Sequence, residues 1–301
     1  MVIAPVPVVV DQDGGIDDAL ALMLLAREPL VQLAGVGSVH GNVEVHAAAR
    51  NGIRALEFAG DHGTPVAVGA AEPLAQPRHL SHPGDPLAAI GGTPRRGPAV
   101  DGAVEQLLRL SHEHEGELMV LALGPLTNLA LAVEADPGFP LRVRRLVIMG
   151  GAYRTRGNIR EHAEANIWHD PEAADVVLSA PFTDRSLIPL DVTRNATVTR
   201  MWLRWLAEES GRVSGRMAGR FLRSPMLTGF RARPLHDPLA AAILLDPALA
   251  TYHHCRLAVA LRERRGAIGP ATDAGRSLTA VAVTADTSTL PKKLFRALAR
   301  R

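Results

Sequence analysis

The sequence of 301 residues predicts a single α/β domain over residues 1–301, in which helices flank a mainly parallel central sheet. Short apolar segments rich in β-branched residues alternate with segments of helical apolar spacing from the start of the chain. Hydrophobic residues make up 47% of the chain, which is enough to bury a sizeable core. No internal repeat, low-complexity linker or break in composition divides the sequence, so one domain is expected.

The first strand and the first helix show how each element is identified. Val6–Val10 is apolar and β-branched apart from Pro7, which lies near the strand start, as suits a strand buried on both faces. Ile16–Ala26 then has the apolar spacing of a helix. By the same criteria, further strands are predicted at Leu30–Val39, Glu117–Leu123, Arg145–Met149, Ser186–Leu190, Leu257–Leu261 and Thr279–Val283. Further helices are predicted at Val43–Phe58, Leu126–Val133, Pro171–Leu178, Asp237–Leu245 and Pro291–Leu298, and Val198–Phe230 is also helical in character.

Two segments between or at the ends of these elements have their own signatures. Asp237 is expected to be the N-cap of its helix, with Pro238 in the first turn. The stretch Glu72–Pro98 has no clear period and is rich in Pro, Gly and His. Such a long irregular segment predicts a mobile surface loop near a functional site.

Composition and charge exclude several classes of protein. The net charge is +2 with histidine neutral, and Lys292 and Lys293 are the only lysines. There is no dense basic stripe interleaved with aromatic residues, so no nucleic-acid partner is expected. No apolar run reaches the length of a membrane span, and the apolar N-terminus has no basic region, so we interpret it as the first strand and not as a signal peptide. Cys255 is the single cysteine, which excludes an intrachain disulfide framework and a cysteine-rich metal site and fits a cytoplasmic location without membrane partners.

The most informative motif follows the first strand. It contains four aspartates within eight residues: Asp11, Asp13, Asp17 and Asp18. Ligands of open α/β sheets bind at the carboxyl ends of the strands, and a helix start favours negative charge. Capping and turn formation account for one or two of these aspartates, and the mutual repulsion of four calls for a compensating cation. Oxygen ligands without a nearby cysteine favour Ca²⁺ or Mg²⁺ over zinc.

Three further segments carry polar groups after predicted strands or at a helix start. Leu123 ends a strand before a Gly-Pro turn, where its carbonyl can be exposed in the way that Ca²⁺ accepts. Asn158, Glu164 and Asn166 lie in a loop after the next strand and can offer donors and acceptors to sugar hydroxyls. His236–Pro238 opens an apolar helix. Taken alone, these segments also have ordinary explanations as a strand-to-helix turn, a solvated loop and an N-cap.

In this order and at these separations, the four segments resemble the inosine-uridine-preferring nucleoside hydrolase family. The resemblance runs from about Val8 to Ala242. It implies the Rossmann-like fold of that family and calcium-dependent hydrolysis of the N-glycosidic bond of ribonucleosides, which releases free base and ribose in nucleoside salvage. It further implies a small-molecule nucleoside as the binding partner and a homo-oligomer, either a dimer or a tetramer.

The resemblance also implies a role for each matching residue. Asp13, Asp18 and Asp237 would ligate Ca²⁺ together with the backbone carbonyl of Leu123. Asp13 would also be the general base for a metal-bound water that attacks the anomeric carbon. His236 would assist departure of the base. The substrate-binding residues that it implies are Asp17, Asn42, Asn158, Glu164, Asn166 and, on the base side, His82.

This chain departs from the family pattern at three places. Gly14 stands where the family usually has proline, which predicts a less rigid turn beside the metal site. His82 is followed by Pro-Gly-Asp, whereas the family more often has glycine and then an acidic residue. The helical region before His236 has no tyrosine to contact the base, and the aromatic residues that could replace it, or simply pack in the core, are Trp202, Trp205, Phe221 and Phe230. The ribose half of the site therefore matches the family, the base half differs, and no preferred base is predicted.

Two alternatives to the hydrolase remain open at this stage. The first is a nucleoside-binding or sugar-binding homologue with weak turnover or none, although a binding protein needs neither Asp13 nor His236. The second is a phosphatase of the haloacid dehalogenase type, in which Asp11 would be the nucleophile and Asp13 the acid-base group. That family also needs a lysine well after the first motif, and Lys292 and Lys293 lie too near the C-terminus to supply it.

Overall fold

The computed structural model describes residues 4–82, 84, 86, 87, 93–209 and 232–299. The strands in these residues are β1 (Val6–Gln12), β2 (Val31–Ser38), β3 (Val66–Val68), β4 (Met119–Ala122), β5 (Arg145–Met149), β6 (Arg185–Ile188), β7 (Thr197–Thr199), β8 (Ala232–Pro234), β9 (Ala250–Cys255), β10 (Leu257–Val259), β11 (Ile268–Pro270) and β12 (Thr279–Ala285). The helices are α1 (Ile16–Ala26), α2 (Val45–Ala59), α3 (Ala103–Glu113), α4 (Thr127–Ala135), α5 (Phe139–Arg142), α6 (Ala165–His169), α7 (Pro171–Ser179), α8 (Leu190–Thr193), α9 (Arg200–Glu209), α10 (His236–Leu245) and α11 (Leu290–Ala299).

One large sheet organises the described residues. Its eight strands have the order β3-β2-β1-β4-β5-β6-β12-β9. All neighbouring pairs are parallel except β12 and β9, so a single antiparallel strand forms one edge. The pairs β7–β8 and β10–β11 form two small antiparallel ribbons. The predicted single α/β domain with a mainly parallel sheet is confirmed.

Helices cover both faces of this sheet because successive side chains along its strands point alternately into two apolar cores. Val8 and Val10 of β1 belong to a core with apolar residues of α1, α2, α10 and α11. Val9, whose side chain points to the other face, belongs to a core with residues of α3, α4, α5 and α7. A strand with apolar residues on both faces is what a parallel sheet covered by helices requires.

The strand order places the site at a reversal point of the sheet. From β1 the chain continues to β2 and β3 on one side, and it then returns to β4 on the other side of β1. The carboxyl ends of β1 and β4 therefore diverge to form a crevice, which is where open α/β sheets bind ligands. Asp13 follows β1 and Leu123 follows β4, so both lie at this crevice.

Most predicted elements are present, with differences at their ends. α1 and β5 have the predicted bounds. Val198 lies in strand β7, helix α9 ends at Glu209, and residues 210–231 are outside the described residues, as are Phe221 and Phe230. The helix predicted from Asp237 begins at His236 with Leu235 as N-cap, because the Asp237 carboxylate is directed to Asp18 and not to its own helix start. Among the described residues, no helix is both long and apolar enough to cross a membrane.

Candidate active site

The aspartate-rich loop after β1 is shaped by a glycine turn. Gly14 has φ +82°, and a Cβ atom there would lie 2.7 Å from Cα of Ala48 and 2.8 Å from Cγ2 of Val43. The buried Gln12 side chain supports the turn from below: its Oε1 accepts a hydrogen bond of 2.8 Å from the Gly14 N–H, and its Nε2 donates to the Ala48 carbonyl at 3.0 Å. The turn therefore needs glycine at position 14, and it is tied to helix α2 through Gln12.

Three carboxylates converge where this loop meets helix α10. One oxygen from each of Asp17, Asp18 and Asp237 lies within 4.8 Å of the other two. Asp18 and Asp237 are buried, whereas Asp17 is half-buried. The Asp18 carboxylate also accepts hydrogen bonds from the backbone N–H groups of Asp13 at 3.3 Å and Gly15 at 3.0 Å, which fixes its position at the start of α1.

The carboxylates raise one another's pKa. Burial, followed by the charge of Asp17, raises the pKa of Asp18 to about 7. Burial and the charge of Asp18 raise the pKa of Asp13 well above its ordinary value of 3.8. Burial also raises the pKa of Asp237 well above 3.8, with further contributions from the charges of Asp17, Asp18 and Asp13. A group of buried acids in this state is an unfavourable arrangement for the protein alone, and a bound cation would relieve it.

The donor set fits a calcium ion. Ca²⁺ takes six to eight oxygen ligands at about 2.3–2.6 Å, so two ligands on opposite sides of the ion are about 5 Å apart. One carboxylate oxygen from each of Asp17, Asp18 and Asp237 falls within a 4.8 Å span. Asp13 and the Leu123 carbonyl follow the adjacent strands β1 and β4 at the same crevice. Asp17 thus belongs to the cluster of carboxylates that could bind the ion, whereas the sequence resemblance implied a sugar-binding role for it.

Asp13 is held by the Asn42 residue that follows β2. The Asn42 backbone N–H donates to Oδ2 of Asp13 at 2.7 Å, and the Asn42 Nδ2 donates to Oδ1 at 2.7 Å. Asp13 itself is buried, whereas Asn42 lines the cavity described below. The two donors orient the carboxylate, and they stabilise its charged form against the effect of burial.

Asp11 lies beneath the site and not in it. Its side chain is 1% exposed, and its Oδ1 accepts a hydrogen bond of 2.8 Å from Asn128. Burial raises the pKa of Asp11 to about 7, although the bond from Asn128 acts in the opposite direction. Its Oδ2 has no hydrogen-bond partner among the described residues. The Asp11 carboxylate is held by Asn128 of α4 and is not part of the cluster formed by Asp17, Asp18 and Asp237, so its position does not fit the nucleophile of the phosphatase alternative.

The amide of Asn166 joins the ends of β4 and β5. Its Nδ2 donates to the carbonyl of Leu123 at 2.7 Å and to the carbonyl of Met149 at 3.1 Å. Glu164 is the N-cap of α6, and its buried Oε2 accepts hydrogen bonds from the N–H groups of Gly151 at 2.9 Å and Ile167 at 3.2 Å. Burial raises the pKa of Glu164 above its ordinary value of 4.5. Capping thus holds Glu164 beside Asn166 at the strand ends.

One cavity connects the predicted residues. Its volume is about 720 Å³, which is large enough for a nucleoside. The predicted residues that line it are Asp17, Asn42, His82, Leu123, Asn158, Glu164, Asn166, His236 and Asp237. Asp13 and Asp18 are buried and do not line the cavity wall, but they are hydrogen-bonded to Asn42 and Asp237, which do.

The segment predicted as an irregular loop contributes to this cavity. Within residues 72–98, the backbone N–H groups of Ser81 and His82 donate to the carbonyls of Gly41 at 3.0 Å and Asn42 at 2.9 Å. Ser81 Oγ also lies 2.9 Å from Nε2 of His169. The part of this segment before residue 83 therefore lies beside Asn42, which agrees with the predicted place near the site. Its hydrogen bonds do not support the predicted mobility for that part, and Asp85 is outside the described residues.

Sequence reasoning did not identify several residues of the cavity wall: His79, Ser81, Met149, Ile159, Ala165, Leu190, Arg194 and Pro234. For two of them, His79 and Ser81, the histidine-rich composition of residues 79–82 was a weak sign of a place in the site. Of the aromatic candidates for the base side, Trp202 packs against the core and Trp205 is 44% exposed, and neither lines the cavity.

The chain is similar to known proteins over most of its length. Residues 8–290 match the family described as inosine-uridine preferring nucleoside hydrolase. Uridine nucleosidase 1 of Arabidopsis thaliana is 36% identical over 253 residues, which cover 81% of this chain and 75% of that protein. The non-specific ribonucleoside hydrolase of Klebsiella pneumoniae is 34% identical over 260 residues, covering 84% of this chain and 83% of that protein. The structure of a plant nucleoside hydrolase superposes with a TM-score of 0.90 at 28% identity, covering 99% of this chain and 100% of that chain.

Proposed function

We propose a role for each residue of this site. The chain belongs to the inosine-uridine preferring nucleoside hydrolase family and is a nucleoside N-ribohydrolase. The enzyme hydrolyses the N-glycosidic bond of ribonucleosides. A single observation carries the proposal: one cavity brings together a cluster of three carboxylates, a set of amides at the strand ends and His236 on a separate helix. These are the groups needed to hold a sugar, to activate a water molecule and to assist a leaving base.

The sugar is bound at the strand ends. Asp17 and Glu164 accept hydrogen bonds from ribose hydroxyls, while Asn42, Asn158 and Asn166 offer both donors and acceptors. Support for this assignment comes from their shared position on one cavity wall. Because each of these side chains except Asp17 is also bonded to neighbouring residues, the wall is preorganised before the sugar arrives.

Asp13 is the general base. Its carboxylate takes a proton from the attacking water, whose oxygen bonds to the anomeric carbon as the bond from that carbon to the base nitrogen breaks. The paired donors of Asn42 keep the Asp13 carboxylate in one orientation throughout. The neighbouring carboxylates also favour the positive charge that develops on the sugar ring in the oxocarbenium-like transition state.

The residues that would hold a resident calcium ion are Asp13, Asp18, Asp237 and the carbonyl of Leu123, with one carboxylate oxygen of Asp17 beside the ion and the other left for a ribose hydroxyl. When bound, it would fix the sugar diol and lower the pKa of the attacking water. Without a cation, burial and mutual repulsion raise the pKa of Asp13, Asp18 and Asp237 and destabilise their charged forms. Removal of the metal with EDTA should therefore abolish turnover and lower the melting temperature of the protein.

His236 acts on the leaving base. It lies at the first position of α10 and on the cavity wall, next to Asp237 in the chain. Its imidazole donates a proton or a hydrogen bond to the departing nitrogen heterocycle, which is a poor leaving group as an anion. His82 is the proposed contact on the other side of the base.

Uridine is the first substrate to test. Relatives named as uridine nucleosidases from two plants are 34–36% identical to this chain. An inosine-uridine preferring hydrolase of Leishmania major is 31% identical, so inosine is the matching purine substrate. The homo-oligomer and the cytoplasmic location expected above stay predictions, the first of which light scattering on the purified protein would test.

The deciding experiment measures free ribose released from a panel of purine and pyrimidine ribonucleosides. It includes the untreated enzyme, the enzyme with EDTA, the Asp13→Ala variant, and Asp273→Asn as a control at an exposed aspartate. We expect release that is lost with EDTA and with Asp13→Ala and retained in Asp273→Asn. Tight binding of a nucleoside without release of ribose would contradict the proposal and favour the binding homologue.

A further inference from the structure

Helix α8 and the residue that follows it connect two parts of the site that are far apart in the sequence. The helix spans Leu190–Thr193 after strand β6, and Arg194 is its C-cap. Leu190 and Arg194 line the cavity. The sequence analysis did not identify this helix, because it contains only four residues and follows a predicted strand directly.

Thr193 contacts the histidine proposed to act on the leaving base. Thr193 is fully buried, and its Oγ1 lies 2.7 Å from Nδ1 of His236. A hydrogen bond to Nδ1 fixes the orientation of the imidazole ring, and the Thr193 hydroxyl can make this bond either as donor or as acceptor. The ring orientation determines where the other nitrogen lies relative to a substrate.

Arg194 contacts the loop that carries Asn158. Its Nη1 donates to Oγ1 of Thr155 at 2.9 Å, and its Nη2 donates to the carbonyl of Gly157 at 2.9 Å. Asp191 of the same helix accepts hydrogen bonds from the backbone at the start of this loop. Helix α8 thus holds the loop at several points up to the residue before Asn158.

We propose that Thr193 and Arg194 are positioning residues for opposite halves of the active site. Thr193 orients His236 toward the leaving base, and Arg194 holds residues 155–157 so that Asn158 reaches the sugar. The inference rests on the proposed function, and neither residue contacts the reacting atoms. Because one acts on the leaving group and the other on sugar binding, their substitution has different kinetic effects.

The first test compares two ribosides in a Thr193→Val variant, which keeps the side-chain shape and removes the hydroxyl. Uridine needs help with its leaving base, whereas 4-nitrophenyl β-D-ribofuranoside loses a stable phenolate that needs no proton. Since general acid catalysis supplies about 10²–10⁴-fold, we expect kcat/KM for uridine to fall by about 10–100-fold. Turnover of the nitrophenyl riboside should be unchanged. Thr193→Ser should restore the activity on uridine, and Thr64→Val is a control at a buried threonine hydroxyl far from the cavity.

The second test uses Arg194→Gln. We expect KM to rise by the same factor for both ribosides while kcat changes little, because the variant weakens the hold on a sugar that the two substrates share. Arg145→Gln is the control, since Arg145 also has a hydrogen-bonded guanidinium but lies at the opposite end of β5 from the cavity. A decrease in kcat for uridine alone would overturn the role of Arg194.

Two measurements without substrate separate this inference from the proposed function. The ¹⁵N chemical shifts of the His236 imidazole should change between the wild type and Thr193→Val. Hydrogen exchange of backbone amides in residues 153–158 should be faster in Arg194→Gln than in the wild type. If the wild type cleaves neither riboside, the proposed function fails while these two measurements still test the contacts. An equal loss on both ribosides in Thr193→Val, with unchanged His236 shifts, would overturn the inference.

Discussion

At the scale of single residues, the turn between Asp13 and Asp17 depends on the pair formed by Gln12 and Gly14. Proline, with φ fixed at about −65°, could not adopt the φ of +82° seen at Gly14. Proline also lacks the N–H that Gly14 donates to Gln12 at 2.8 Å. In this chain the turn is therefore stabilised by a side-chain hydrogen bond from within the buried strand end, where the family more often uses a rigid ring.

The Gly14→Ala variant should lose more stability than loss of glycine freedom alone would cause. A left-handed backbone costs a non-glycine residue about 1–2 kcal/mol, and the new Cβ would also meet the Ala48 backbone at 2.7 Å, for which overpacking adds about 1–3 kcal/mol. Gly116→Ala is the matched control, because Gly116 has φ +73° with open space around it. Urea unfolding measures both variants. Equal losses in the two would show that the turn at Gly14 has room for a side chain.

His236→Ala should impair hydrolysis without abolishing it. Assistance to a leaving base supplies about 10²–10⁴-fold, while the carboxylates and the sugar-binding wall remain in place. We therefore expect kcat for uridine to fall by about that factor and KM to change little. Steady-state kinetics with His253→Ala as a control, at an exposed histidine outside the cavity, measures the effect. An unchanged rate would remove His236 from the mechanism.

At the scale of elements, long segments with strong periodicity were predictable and short ones were not. Helix α1 has its predicted bounds because acidic residues mark its first turn and apolar residues continue from there to Ala26. Strand β3 and helix α8, with three and four residues, are too short to show a period. Strand β9 was missed because it is an edge strand whose sequence, Ala250–Cys255, mixes polar and exposed side chains.

The same physical reason divides the site. The sugar-side residues follow strands, where a polar residue after an apolar run stands out, and their predicted places on one cavity wall agree with the structure. Ile159, Arg194 and Pro234 come from segments without periodicity, and their proximity depends on how loops from distant parts of the chain meet. Contacts between distant loops cannot be read from the sequence. For this reason the sequence does not predict which nucleobase the enzyme prefers.

Gln76 should determine how firmly the loop before residue 83 is held. Its Nε2 donates to the carbonyls of Trp168 at 2.8 Å and His169 at 2.9 Å, so it ties the loop to the junction of α6 and α7. We expect Gln76→Ala to raise KM for nucleosides and to increase hydrogen exchange in residues 74–82, with little change in melting temperature. Gln32→Ala, at an exposed glutamine, is the control. Unchanged exchange in this loop would mean that other contacts suffice to hold it.

At the scale of the whole molecule, buried polar residues connect the site to the core that supports it. Nε2 of His40 lies 3.0 Å from Oγ1 of Thr127, whose hydroxyl donates to Asp170 at 2.7 Å. Nε2 of His169 lies 2.9 Å from the hydroxyl of Ser81. Neither histidine has a partner for Nδ1 among the described residues. The fold therefore holds both imidazoles in their neutral form, which makes its stability depend on pH.

The sign of this dependence follows from the pKa values. Burial, with the charges of His40 and His79, lowers the pKa of His169 to about 3, and burial, with the charge of Arg78, lowers the pKa of His40 to about 4. In the unfolded chain both histidines have their ordinary pKa of 6.5, so they take up protons when the pH falls below that value. Protonation then favours the unfolded state, so the stability that these two histidines contribute is fully present above pH 6.5 and decreases as the pH falls. At pH 5 each histidine should cost about 2 kcal/mol relative to pH 7.5, because one pKa unit corresponds to about 1.4 kcal/mol.

Urea unfolding of the wild type and His169→Gln at pH 7.5 and pH 5, with the same calcium concentration throughout, isolates the contribution of one histidine. Glutamine can keep the hydrogen bond to Ser81 and takes up no proton, so the variant should lose about 2 kcal/mol less than the wild type between the two pH values. His46→Gln, at an exposed position of α2, should lose as much as the wild type. If His169→Gln lost as much as the wild type, His169 would be protonated equally easily in the folded and unfolded chains, and the loss of stability in acid would have to come from other groups such as His40.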